Sequence, residues 1–204
     1  MDWQKASAEL AKKLDPKNVQ PAKQLGPKGE YIEGWFAIAE ANRIFGHNGW
    51  SYTLMDCKPV MQAERKIGKA QKDGWGVTYI ATVRVIVGGV TREDVGAGHG
   101  YDVDLGLAHE SAIKEAVTDA FKRAVRGFGY PFGLALYDKS REHVGVEVSD
   151  AEIEKATRFI SAAQTVEDMA ERWKKIPSHI RDSQPVLDAA KARKAQLTNN
   201  KEAA

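Results

Sequence analysis

Val77, Tyr79, Ala81, Val83, Val85 and Val87 recur at every second position of one short stretch. In an extended chain, alternate side chains share a face, so this pattern specifies a strand with one apolar side. Gly88-Gly89 follows at once. Both residues accept positive φ, which a tight hairpin demands, so the chain is expected to reverse and pair through 90–95. A further strand is expected over 50–60, rich in aromatic and β-branched residues at its start. The polar insertion between these strands, with Arg65, Lys66, Lys69 and Lys72, reads as an exposed basic loop.

Helical spacing appears on either side of the strands. Phe36, Ile38, Ala39, Ala41, Ile44 and Phe45 predict a helix over 33–45 that Gly46 stops. A longer helix is expected over 107–128, where Ile113, Ala116, Val117, Ala120, Phe121, Ala124 and Phe128 fall in one stripe. Gly127, Gly129 and Pro131 end it. The order helix, strand, strand, strand, helix predicts an α+β fold: an antiparallel three-stranded sheet packed on a long helix.

Before this core, 4–14 can form a short helix, and Pro16, Pro21, Gly26, Pro27 and Gly29 make 15–30 a loop or arm. After Lys139 the character changes. Ser149 with Glu152 is a capping box, and Thr165 with Asp168 is its aspartate analogue. Short amphipathic helices follow around Ile153, Phe159 and Ile160, then around Val166, Met169, Trp173 and Ile176. A third starts near Pro185 and carries Val186, Leu187, Ala190 and Leu197. The expected organisation is an N-terminal helix and arm (1–30), a core (31–140), a helical appendage (150–197) and a disordered tail (198–204).

Composition narrows the function. The net charge of +2 over 204 residues is too small to announce nucleic-acid binding, so any phosphate site must come from local clustering. Cys57 is the only cysteine, which excludes an internal disulfide and a multi-cysteine zinc site. Nothing approaches the ~18 apolar residues in a row that a membrane span needs, so a soluble cytoplasmic protein is expected.

The sharpest cluster is Lys122-Arg123-Ala124-Val125-Arg126. On a helix, Lys122, Arg123 and Arg126 occupy an arc opposite the apolar stripe and can hold successive phosphates of one strand. The same cations also complement the dipole at a helix end, with Glu110, Glu115 and Asp119 upstream. Tyr31, Trp35, Trp50, Tyr52 and Trp75 can stack on bases or simply pack in a core.

Gly96-Ala97-Gly98-His99-Gly100 lacks the dinucleotide fingerprint, because Tyr101 stands where glycine is required; it reads as a flexible turn or a close backbone approach. No P-loop sequence occurs. The histidines at 47, 99, 109, 143 and 179 show no metal-ligand pairing, and Ile113 replaces the second histidine of a zincin motif begun by His109-Glu110. No cofactor, metal or catalytic group is therefore expected. Cys57 lies in a strand and is expected to be inert.

Four segments resemble the Rad52 single-strand annealing proteins of eukaryotes and their phage and bacterial relatives. They are Gln24-Leu25-Gly26-Pro27, then Tyr31-Ile32-Glu33-Gly34 continuing to Ile44-Phe45-Gly46-His47-Asn48-Gly49-Trp50, then Glu93-Asp94-Val95-Gly96, and finally Lys114 through Gly129. Together they cover about 20–140. The resemblance implies rings that hold single-stranded DNA in a basic groove and pair complementary strands without ATP. It implies phosphate contacts from Lys122, Arg123 and Arg126, and a DNA-binding role for Tyr31.

The arm is shorter than in eukaryotic members, and Lys28 is the nearest match for a groove arginine. Asp102, Val103 and Asp104 stand where those members place lysines for an outer site, and Lys66, Lys69 and Lys72 are the candidates to replace them. These departures and the short helical tail point to a phage or bacterial type of member, acting in a bacterial or phage-infected cell. The helical appendage (150–197) is expected to dock a single-strand binding protein or an exonuclease, or to pack on a neighbouring subunit. Two rivals stay open: a metal-dependent nuclease using Glu93, Asp94, Asp102 and Asp104, and an oligomeric adaptor with incidental DNA binding.

Overall fold

The structure, a computed structural model, describes residues 1–21 and 29–202, with side chains to residue 198. It contains two compact units, 1–144 and 145–204. The first unit runs α1 (Trp3–Leu10), β1 (Val19–Pro21), β2 (Glu30–Ile32), α2 (Gly34–Phe45), β3 (Trp50–Ile67), β4 (Lys72–Val87), β5 (Val90–Asp102) and α3 (Leu105–Arg126). Two short 3₁₀ turns follow, Tyr130–Phe132 and Leu134–Tyr137.

The fold is α+β, with β3, β4 and β5 antiparallel in sequence order and β4 in the centre. The alternation on β4 does what its spacing requires: Val77, Ala81, Val83, Val85 and Val87 are fully buried on one face. Gly88 and Gly89 both take positive φ, at 50° and 85°, and close the hairpin so that Val87 faces Val90. β3 is an edge strand, the position in a sheet that tolerates a proline such as Pro59, and its register shifts near Met55 and Val60.

The three strands are longer than their apolar patterns indicate. The basic segment expected as a loop is mostly hairpin: Arg65 and Lys66 belong to β3, Lys72 to β4, and only Gly68–Gln71 turn. Edge-strand residues with both sides exposed carry no apolar period, so the pattern ends before the hydrogen bonding does.

Of the two readings of Gly96–Gly100 the turn is corrected, since the run is the second half of β5, paired with β4 from Ala81↔Gly96 to Val77↔Gly100, while the close backbone approach is what these glycines permit. Gly96, Gly98 and Gly100 are buried against α3. A Cβ on Gly98 would sit 2.1 Å from the Ala112 carbonyl oxygen, and one on Gly100 only 1.8 Å from that of Ala108. The helix backbone thus rests almost directly on the strand. Its buried face is a ladder of alanines, Ala108, Ala112, Ala116, Ala120 and Ala124, with Phe121 and Val125 at the end. Ile113, expected in the stripe, is 36% exposed, and Phe128 lies beyond the helix. At this short helix–sheet distance only a methyl group fits beneath α3.

The N-terminal segment is not a separate arm throughout. Ala6, Leu10 and Leu14 pack into the same core as Ala37, Ala41, Phe45 and Phe132, although α1 ends at Leu10 rather than at residue 14. Arg43 of α2 pairs with Glu9 of α1 and with Glu40, joining the two helices.

The second unit has its own core of Ala156, Ile160, Ile176, Ile180, Val186 and Ala190. It comprises α4 (Asp150–Ser161), α5 (Val166–Lys175), α6 (Ser178–Arg181) and α7 (Gln184–Glu202). The Ser149–Glu152 capping box forms, and Thr165 accepts from the Asp168 N–H at 3.0 Å. The helix α7 continues to Glu202, past residue 198 where the tail was expected to begin. No helix among the described residues is long and apolar enough to cross a membrane.

Two outcomes follow. Gly98→Ala should lower the urea-unfolding stability by about 3 kcal/mol or prevent folding, because the added methyl meets backbone that cannot yield. Gly89→Ala, whose Cβ would meet nothing within 4 Å, should cost only the ~1 kcal/mol of a positive φ. Separately, hydrogen bonds from Lys12 first and Arg43 second hold the Glu9 carboxyl below the usual glutamate range. Its stabilising contribution is complete above the unfolded value and is lost as pH falls through the folded value. Glu9→Gln should therefore flatten the acid limb of stability against pH, measured by urea unfolding.

Candidate nucleic-acid interface

The last two turns of α3 place Lys122, Arg123 and Arg126 away from the alanine face, as helical spacing requires. They line a cleft with Tyr31 and Ile32 of β2, Asp119, and Leu136 and Tyr137 of the 3₁₀ turn. Tyr31 arrives there because β2 pairs with β1, Gln20 opposite Tyr31, and alternation sends Ile32 into the core and Tyr31 outward. Cleft residues from β2 and from the stretch that ends α3 and enters the 3₁₀ turns thus meet at one helix end.

Each cation is held differently. The Lys122 ammonium lies 5.2 Å from the Tyr31 ring centroid and pairs with no acid among the described residues. Arg123 donates from Nε to Asp94 Oδ1 at 3.1 Å, while Arg126 Nη2 reaches Asp94 Oδ2 at 3.8 Å. The Arg126 guanidinium also stacks on Tyr137, 4.2 Å from the ring centroid. The hydrogen bond to Asp94 pushes the Arg123 pKa further up, so its charge is fixed. Beside Tyr31, the Glu33 carboxylate raises the phenol pKa, which keeps the ring neutral.

The cleft also contains acids. Asp119 sits one turn before Arg123, and Glu30 is engaged by Arg141. The arrangement is therefore a set of oriented guanidinium and ammonium donors beside an exposed aromatic ring. Such a set holds phosphates and offers a stacking face without specifying a base.

Other expected site residues lie elsewhere. Lys66, Lys69 and Lys72 cluster at the tip of the β3–β4 hairpin, where Lys66 pairs with Asp73 at 2.5 Å. That tip is roughly 37 Å along β4 from Val83, the residue opposite Asp94, at ~3.4 Å per residue. The fold does not bring these lysines to the cleft. Lys28 and Gln24–Pro27 lie outside the described residues. Of the aromatic residues, Trp50 and Trp75 pack against apolar clusters, whereas Tyr31, Trp35 and Tyr52 are exposed.

The carboxylates of the nuclease reading do not converge. Glu93 pairs with Arg84 and Asp94 with the arginines, while Asp104 caps α3 by accepting from the Leu107 N–H at 2.9 Å. Asp102 in turn accepts from the Asp104 N–H. Asp94 and Asp102 are about 27 Å apart along β5 at ~3.4 Å per residue. No group of three His, Cys, Asp or Glu side chains suited to a metal ion occurs among the described residues. Cys57 is half-buried, and its thiol pKa is pushed up by that burial.

The model of the family described as "Rad52/22 family double-strand break repair protein" matches residues 2–155. The chain belongs to the Rad52/22 family. Similar curated proteins include the DNA repair and recombination protein RAD52 of Candida glabrata, 42% identical over 136 residues, which are 64% of this chain and 25% of that protein. The DNA repair and recombination protein rti1 of Schizosaccharomyces pombe is 40% identical over 134 residues, 64% of this chain and 34% of that protein. RAD52 of Saccharomyces cerevisiae is 41% identical over 134 residues, with 64% and 27% covered. The chain spans about a quarter to a third of the length of these relatives. All three are fungal, so these relatives do not bear out the expectation of a phage or bacterial type of member, nor that of the host cell inferred from it.

Within this Rad52/22 chain, sequence reasoning missed two cleft residues. Asp94 belongs both to the Glu93-Asp94-Val95-Gly96 segment and to the carboxylates of the nuclease reading, and its pairing with Arg123 and Arg126 shows only where α3 lies on β5. Tyr137 gave no signal, because an isolated tyrosine after a proline turn has no period. Tyr137→Leu should leave the thermal midpoint nearly unchanged, since the ring is 68% exposed. It should weaken capture of a short polyphosphate about two- to five-fold, the worth of a surface cation–π contact, in a low-salt calorimetric titration.

Proposed function

We propose that this chain binds single-stranded DNA in the Tyr31/Lys122/Arg123/Arg126 cleft and anneals complementary strands without ATP, as an oligomeric ring serving homologous recombination and repair. The observation that carries this reading is the convergence of three α3 cations and an exposed tyrosine on one cleft. Membership of the Rad52/22 family supports it, as do relatives named for DNA repair and recombination.

The mechanism follows from the donors. Lys122, Arg123 and Arg126 neutralise successive phosphates, which relieves the repulsion between two strands. These three cations address the backbone rather than the base edges, so two bound strands test register by base pairing. Duplex formation supplies roughly 1.4 kcal/mol per stacked step, enough to drive annealing without a nucleotide. Asp94 keeps both guanidinium groups extended towards the cleft rather than free to fold back on the helix end. We assign the hairpin lysines Lys66, Lys69 and Lys72 to an outer strand contact, separate from the cleft. The helical unit is assigned to docking a partner, for which a single-strand binding protein or an exonuclease is the candidate.

The test is annealing of two complementary labelled oligonucleotides without ATP, by wild type and by Lys122→Ala/Arg126→Ala. Wild type should accelerate pairing, and the double variant should lose both pairing and strand binding. The slope of log affinity against log salt should fall by about 1.4 in the variant, at ~0.7 per lost single-strand phosphate contact. An unchanged slope would remove the cleft from the mechanism. A wild type without annealing activity would leave the chain an oligomeric adaptor.

A further inference from the structure

In the second unit, α5 is the one helix of ten or more residues that buries none of them. Yet its sequence is sharply amphipathic: Val166, Met169 and Trp173 share one face, with Glu167, Glu171 and Lys174 on the others. That apolar face is only half covered by its own unit. With Leu187 and Ala190 of α7 it forms a groove of about 420 Å³, a size that suits one or a few apolar side chains.

The rim of this groove carries one sign of charge. Lys174, Lys191 and Lys194 line it, and no acidic residue among the described ones does. None of the three pairs with an acid among the described residues. Acids and bases balance over 145–204, so the groove concentrates cations that the unit as a whole lacks.

We propose that the α5–α7 groove docks an acidic segment of a partner protein, with apolar side chains seated on Met169, Trp173 and Leu187 and carboxylates facing Lys174, Lys191 and Lys194. It rests on the partner-docking part of the proposed function and not on the DNA cleft. An amphipathic segment in a hydrophobic groove gains affinity from buried apolar area and orientation from the charged rim. Single-stranded DNA fits the groove less well. Its floor is mainly aliphatic, with Trp173 as its one aromatic residue among the described ones, so it offers successive bases little to stack on.

The test uses the full chain and a fluorescein-labelled peptide of glutamates and aspartates with Leu and Phe at helical i, i+4 spacing. A control peptide carries serine in place of the Leu and Phe. Fluorescence anisotropy should show binding that weakens with salt, and the serine peptide should bind at least about tenfold more weakly. Lys174→Glu/Lys191→Glu/Lys194→Glu, at exposed positions that leave the core intact, should also lose about tenfold or more. Circular dichroism checks its fold, and annealing by the same preparation should match wild type.

Absence of probe binding, equal binding of both peptides, or full binding by the charge-reversed chain would each overturn the proposal. Two further results would replace it. If charge reversal instead weakens binding of oligo-dT, the lysines belong to a nucleic-acid path. If it changes only the oligomer size, the groove is a contact between copies of this chain. Failure of annealing in wild type, with peptide binding intact, would sink the DNA reading alone.

Discussion

The approach of α3 to β5 governs the first unit. Two residues of strand advance ~6.7 Å and four residues of helix advance ~6.0 Å. A glycine at every second strand position therefore meets an alanine at every fourth helix position. Gly96, Gly98 and Gly100 match Ala120, Ala116, Ala112 and Ala108 in this way, with β5 and α3 antiparallel. Backbone lies against backbone, and no larger side chain fits between them. The contact is narrow in tolerance and fixes the helix along its length, where a layer of leucines would allow it to slide.

Everything in the cleft inherits that placement. Because α3 cannot shift on the sheet, its C-terminal turn ends beside Asp94, which meets Arg123 and Arg126 from the strand beneath. Phe121 leaves the alanine ladder to pack against Trp50 and Tyr52, and Phe45 stacks on Phe132 nearby. These aromatic contacts tie α2, β3 and the 3₁₀ turn to the same helix end. They hold Tyr137 under Arg126 and, through the buried Ile32, Tyr31 beside Lys122. The cations are thus oriented before any ligand arrives, which limits the side-chain entropy lost on binding.

How far the chain could be read from its residues depended on whether a feature had a period. The β4 alternation, the Gly88-Gly89 turn, the Gly46 stop and the Ser149 capping box are local, and each forms as its spacing implies. The Gly96–Gly100 run left a turn and a close backbone approach open, because glycine permits both; only the opposing alanines of α3 decide for the approach, within a strand. Ile113 misled for the related reason that a larger apolar residue outranks alanine in a periodicity count, although alanine alone fits here. Lys122, Arg123 and Arg126 were legible as one helix face. Their company of Asp94 and Tyr137 was not, because Asp94 comes from a separate strand and Tyr137 from an aperiodic 3₁₀ turn, and neither carries a motif of contact.

The sequence by itself determined the class of fold, the hairpin, the α3 cations and the existence of a separate helical segment, since each rests on periodicity or on the backbone freedom of particular residues. Tertiary structure alone decided how closely α3 approaches the sheet, where β5 ends, and which residues complete the cleft. It also decided that the α5 face would stay half covered beside a lysine rim. Those outcomes depend on distances between elements, and such distances are set by the fit of side chains that are far apart along the chain.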